Sequence, residues 1–136
     1  MTIELGYTVL FVSDVVATLE FYEAAFGFRR RYLANEGRYT NQYAELDTGA
    51  TILAFASNTL SATYIPGGFR INTRDARPAG FEVAFITDEV DAYYARALAA
   101  GAAPVAAPEV KPWGQTISYV LDPNGILVEI CTRFTR

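Results

Sequence analysis

Hydrophobic positions along the chain follow two periods, one of two residues and one near 3.6, and the succession of periods occurs twice. Residues 7–12, Tyr-Thr-Val-Leu-Phe-Val, are a β-branched and aromatic run suited to a strand covered on both faces. Ser13-Asp14 then supplies a helix N-cap, and apolar residues at 15, 19, 22 and 26 put Val15, Leu19, Tyr22 and Phe26 on one helical stripe. Gly27 closes that helix as a C′ residue. Strands are predicted over Phe28–Leu33, interrupted by the basic run Arg29-Arg30-Arg31, and over Thr40–Leu46. The tight turn Asp47-Thr48-Gly49 leads into a further strand over Ala50–Ala56, so the first half reads β-α-β-β-β.

The second half repeats the order. Phe81–Thr87 is a strand, Asp88 an N-cap, and Val90, Tyr93, Tyr94, Ala97 and Leu98 carry a helix that Gly101 ends. Ala103–Ala106 predicts a short strand and Gly114–Leu121 a longer one. The turn Asp122-Pro123-Asn124-Gly125 then leads into Ile126–Thr132. At an offset of 74 to 75 residues Tyr7 falls on Glu82, Gly27 on Gly101, Asp47 on Asp122 and Ala54 on Glu129. A repeat of this length implies a duplicated supersecondary unit. The chain therefore divides into repeats over 5–57 and 80–132 of one domain spanning 1–136. The Pro/Gly/Arg-rich segment 58–79 joins them, long enough to cover a site or reach a partner subunit. The expected fold is α+β, each repeat a mixed four-stranded sheet with one helix on its outer face, the two sheets forming a shared cleft.

Composition narrows the chemistry. The 136 residues contain no histidine, which excludes Ser-His-Asp and Cys-His triads and the two-histidine-one-carboxylate iron site. It also argues against catalytic zinc, whose ligands are normally imidazoles or thiolates. Cys131 is the one cysteine, so no intrachain disulfide forms, and its strand-like setting predicts a buried structural thiol. A net charge of −4 argues against nucleic acid, and Gly67-Gly68 lacks the strand-to-helix context of a phosphate loop. With no basic-then-apolar leader and no long apolar run, neither secretion nor membrane insertion is signalled, and the cytoplasm is the expected location.

Several motifs carry a family resemblance. The opening Tyr7-x-x-Leu10-x-Val12-x-Asp14, with Phe21-Tyr22 and Phe26-Gly27-Phe28, resembles that of vicinal-oxygen-chelate proteins, the glyoxalase/bleomycin-resistance/dioxygenase group. So do Gly80-Phe81-Glu82-Val83-Ala84-Phe85, Lys111-Pro112-Trp113-Gly114-Gln115 and the close Asp122-Pro123-Asn124-Gly125-Ile126-Leu127-Val128-Glu129-Ile130. The resemblance spans about 5–132 and rests on the order, spacing and duplication of these pieces. It implies the two-repeat βαβββ fold, usually a homodimer, and leaves function open between metal-dependent enzymes and metal-free drug-sequestering proteins. In metal-using relatives four inward side chains hold one divalent ion. The corresponding positions here are Tyr7, Ala54, Glu82 and Glu129, of which two carry carboxylates. No metal and no other cofactor is therefore expected.

The candidate ligand-binding residues are Tyr7, Tyr39, Tyr43, Phe69, Glu82, Trp113 and Glu129. Two glutamates on one apolar surface resist joint ionisation, which suits them to a cationic ligand or to acid–base work. The plainer alternative pairs them with an arginine of the joining segment, Arg70, Arg74 or Arg77. Tyr7 either aims its hydroxyl at them or fills vacated volume, and Trp113 either stacks on a ligand or seals an interface. Helix aromatics Tyr22, Phe26, Tyr93 and Tyr94 are assigned to packing, and Arg29-Arg30-Arg31 to a solvated strand edge. Beside a vestigial cleft that serves only as an interaction module, two readings follow. One is a metal-free protein that sequesters a small aromatic or cationic molecule, antibiotic-resistance-like. The other is a glyoxalase-like lyase or isomerase with Glu82 or Glu129 as general base or residual metal ligand.

Overall fold

The computed structural model describes residues 1–135, folded as two compact units. One comprises residues 1–23 and 27–71; the other comprises Ala24–Phe26 and the chain from Asn72 onward. The first unit holds β1 (Tyr7–Val12), α1 (Val15–Phe26, except its last three residues), β2 (Arg29–Leu33), β3 (Tyr43–Asp47), β4 (Ile52–Ser57) and α2 (Asn58–Ala62). The second holds β5 (Val83–Ile86), α3 (Val90–Ala100), β6 (Ala103–Val110), β7 (Thr116–Leu121) and β8 (Leu127–Cys131). The sheets have matching orders, β1-β4-β3-β2 and β5-β8-β7-β6, each with one parallel pair, β1 with β4 and β5 with β8.

The helical stripe places the first core. Val15, Leu19 and Tyr22 are buried, and the Tyr22 ring stacks on Phe55 of β4 with centroids 5.1 Å apart. Leu10, Val12, Ala44, Leu46 and Leu53 complete this side of the sheet, all buried. Asp14 caps α1 by accepting the Ala17 N–H, and Gly27 ends it at φ 74°. In the second unit α3 lies against β6, β7 and β8, over buried Val120, Val128 and Ile130. Phe26 packs here with Phe85 and Tyr93, at 4.8 and 6.4 Å between centroids.

Three local expectations are corrected, and one element is added. The third strand starts at Tyr43, not Thr40, because Gly37–Tyr39 form a 3-10 turn and Asn41 turns the chain at φ 61°. Glu89, not Asp88, caps α3, without a side-chain hydrogen bond; Thr87 instead accepts the Glu89 N–H through its hydroxyl. The strand expected over 103–106 runs to Val110. Pro104 and Pro108 argue against a strand only where a ladder needs their N–H, and β6 is an edge strand with two register shifts. The joining segment begins with the short helix α2, which Ser57 caps by accepting the Leu60 N–H.

From Asn72 the segment belongs to the second unit and packs on one of its turns. Arg74 donates from Nε to the Asp122 carbonyl at 2.9 Å and from Nη2 to the Gly101 carbonyl at the end of α3. Beneath it, buried Asp122 accepts the backbone N–H groups of Asn124 (2.7 Å) and Ile126 (2.9 Å). Gly125, at φ 82°, lies so near Thr73 that a Cβ would sit 2.3 Å from its carbonyl oxygen.

Candidate functional site

Strand register decides which side chains share a face. In the second unit Ala84 pairs with Glu129 and Ile86 with Cys131, while Tyr119 pairs with Glu129 across β7. Alternation then puts Glu129, Cys131, Tyr119, Ala84 and Ile86 on the side away from α3, and Glu82, two residues before Ala84, is in phase with them. Ala84 and Ile86 are exposed, Glu129 and Tyr119 half-buried. Glu129 is near enough to the Glu82 carboxyl to act on its proton, and Tyr119 donates to Glu129 Oε1 at 3.4 Å. Burial raises the Glu82 carboxyl to about 7, with the hydrogen bond and the charge of Glu129 acting in the same direction. Between its ordinary value and pH 7 the pair thus holds a proton.

The second unit's own arginines of the joining segment, Arg74 and Arg77, do not ion-pair with these glutamates. Arg74 is spent on backbone carbonyls, and the ion pairs among the described residues join Glu23 with Arg30, Glu45 and Asp47 with Arg31, and Glu109 with Lys111.

Cys131 is buried on the same face, its thiol directed to the Phe85 carbonyl at 3.8 Å. Burial pushes it up to about 12, and the hydrogen bond and charge of Glu129 add to the rise. Such a thiol is almost wholly protonated at neutral pH and a poor nucleophile. Treated with a disulfide reagent at pH 8, the folded protein should be labelled at least about a hundredfold more slowly than the unfolded chain. Equal rates would show that the thiol is accessible and ionised. Gln115 accepts the Trp113 indole N–H at 2.9 Å and donates to the Thr132 carbonyl at 2.8 Å. The exposed indole is thereby tethered beside the end of β8 that carries Cys131.

The first unit presents an equivalent face. Val9 pairs with Ala54 as Ala84 pairs with Glu129, so Ala54 and Glu129 occupy matching points at the 75-residue offset. Ala54 offers no donor. Directly opposite it on β3, however, stands Glu45. Its Oε2 accepts the Tyr43 hydroxyl at 2.7 Å and its Oε1 the Arg31 Nε at 3.2 Å. Burial first, then the bond to Glu45, hold the Tyr43 phenol above its ordinary range, and Tyr7 and Tyr32 are near enough to add to the effect. Glu45, Arg31 and Tyr32 were not candidates on sequence. Arg31 is the extra residue of a bulge between Arg30 and Tyr32, which turns Arg30 to Glu23 on α1 and Arg31 to Glu45 and Asp47. No periodic pattern reveals a bulge.

Phe69 and Tyr39 have other company. Phe69 packs on Phe11 at 4.7 Å, whereas the Tyr39 hydroxyl meets Arg38 Nη2 at 2.8 Å and the Tyr64 hydroxyl at 3.4 Å. A groove of about 310 Å³ at the start of α3 is lined by Asp88, Glu89, Asp91, Thr116 and Thr132 among others, and by none of the candidate residues.

A family model, the Glyoxalase/Bleomycin resistance protein/Dioxygenase superfamily, matches residues 4–130. The chain belongs to that superfamily. Solved structures with this fold include a glyoxalase-related enzyme from Fulvimarina pelagi (21% identity, TM-score 0.80, covering 96% of this chain and 88% of that one). TioX from Micromonospora sp. ML1 is 26% identical at TM-score 0.70, covering 95% and 98%. Lactoylglutathione lyase from Agrobacterium tumefaciens is 23% identical at TM-score 0.69, covering 95% and 92%. Among curated proteins none matches. The donor set does not fit the divalent-ion site of metal-using superfamily members. Of the four equivalent positions only Glu82 and Glu129 carry carboxylates, and no group of three or more His, Cys, Asp or Glu side chains among the described residues is placed to hold a metal. No helix among the described residues is long and apolar enough to cross a membrane.

Proposed function

We propose that this protein is a metal-free member of its superfamily that binds and sequesters a small aromatic, cationic molecule. The carrying observation is the Glu82–Glu129 pair, two carboxyls on one strand face beside Tyr119, with no ion-pair partner among the described residues. A cationic ligand replaces the shared proton and relieves the repulsion between the two charges. Apolar burial against the Tyr119 and Trp113 rings supplies affinity. In this reading the protein acts as a cytoplasmic homodimer and needs no cofactor. Its function resembles that of drug- and metabolite-sequestering relatives.

The test joins two measurements on the purified chain. Calorimetric titration with Mn, Ni, Zn and Mg should show no saturable binding. A thermal-shift screen should raise the melting temperature with basic aromatic compounds and not with their neutral analogues, unchanged by EDTA. One tightly held divalent ion per chain sinks the reading.

A second reading is favoured by one observation, the Glu82 carboxyl titrating near neutrality, which is where a general base works best. In that case the protein is a lyase or isomerase of the glyoxalase type, and the structural neighbour described as lactoylglutathione lyase supports the assignment. Turnover lost in both Glu82→Gln and Glu129→Gln, with folding intact, decides for it.

A further inference from the structure

The first unit has an unassigned cluster at Ala54. Tyr32 and Tyr43 stand with ring centroids 6.3 Å apart and planes inclined at 51°, so the rings form an open corner. Tyr32 is 48% exposed and Tyr7 53%, while Tyr43 is half-buried. The Glu45 carboxylate borders this corner, with only 20% of its side chain exposed. Arg31 bridges Glu45 and Asp47, two residues further along β3, and so lies on the side of Glu45 away from Tyr43. Arg29 is opposite Asp47, at the same far end. The group that borders the rings is thus a carboxylate with one oxygen, Oε1, ion-paired to Arg31 and the other, Oε2, on the Tyr43 side.

We propose that the corner of Tyr32 and Tyr43, with Tyr7 and the Glu45 carboxylate, is a binding site for a quaternary ammonium group. Ring faces attract a cation through their quadrupole, and a neighbouring carboxylate adds to the attraction. The chemistry selects the type of cation. Both Glu45 oxygens already accept hydrogen bonds, Oε1 from Arg31 and Oε2 from Tyr43. A primary ammonium needs acceptors for three N–H groups and must compete with Arg31 and Tyr43 for them. A trimethylammonium group has no N–H and is held by charge and ring contact alone. This site stands on the first unit by itself and does not depend on Glu82 and Glu129.

Choline, ethanolamine and the uncharged carbon isostere neohexanol test it, titrated into the full chain and followed by NMR at the tyrosine rings. Choline should move Tyr7, Tyr32 and Tyr43 and bind about tenfold or more tighter than the other two. Glu45→Gln and Tyr32→Leu should each weaken it about five- to tenfold, with circular dichroism confirming that both variants fold. Neohexanol or ethanolamine binding as tightly as choline overturns the proposal, as does no choline binding at all. Affinity lost in Glu82→Gln and kept in Glu45→Gln also overturns it, by placing the cation at the second unit's pair, a result that supports the proposed function instead.

Discussion

Gly125→Ala should destabilise the protein by about 3 kcal/mol or more. Two causes act at once. The residue sits at φ 82°, where an L side chain is strained, and its Cβ would lie 2.3 Å from the Thr73 carbonyl oxygen and 2.8 Å from the Arg74 nitrogen. Those neighbours are backbone, so relief requires moving the segment that carries Arg74, and with it the bonds to the Asp122 and Gly101 carbonyls. Gly114→Ala separates the causes. Gly114 has φ 93° with nothing within 4 Å of the added carbon, so it should lose only about 1–2 kcal/mol, the left-handed strain alone. Urea unfolding of both variants measures the difference. Equal losses would show that the approach of Thr73 costs nothing.

Glu129→Gln should lower the Glu82 titration from about 7 towards its ordinary 4.5, because it removes the neighbouring charge and alters the shared hydrogen bond. The shift should be partial, since burial is the largest cause and survives the substitution. The consequence for stability has a definite sign. A carboxyl whose native pKa is raised holds its proton better folded than unfolded. Its contribution is therefore complete below about 4.5 and lost as pH rises through about 7. Wild-type stability should fall across that window, and Glu129→Gln should flatten the fall. Carboxyl carbon shifts followed by NMR, with chemical denaturation at pH 4 to 8, provide the measurement. A Glu82 still titrating near 7 in the variant would assign the whole effect to burial.

The same residues show what could be read along the chain. Val15, Leu19 and Tyr22 fall on the buried stripe because a helix repeats every 3.6 residues whatever packs on it. Gly27 and Gly101 both adopt positive φ at helix ends, a local requirement that composition alone satisfies. Tyr39 and Tyr43, by contrast, are close in sequence and alike in character, yet Tyr39 joins Arg38 and Tyr64 while Tyr43 joins Glu45. The 3-10 turn and the positive φ of Asn41 lie between them.

The order of elements within each βαβββ repeat, the duplication and the family were legible along the chain, because periodicity, caps and turns are properties of short segments. It also removed histidine chemistry, since no fold can supply a residue the chain lacks. Which charges meet was settled by register and packing. A bulge of one residue sent Arg31 to Glu45, strand pairing put Glu45 opposite Ala54, and Arg74 was drawn to carbonyls and away from the glutamates. Ion pairs and hydrogen bonds depend on distances of a few ångströms between residues far apart in the chain. Those distances are fixed by register and packing, which no local pattern encodes.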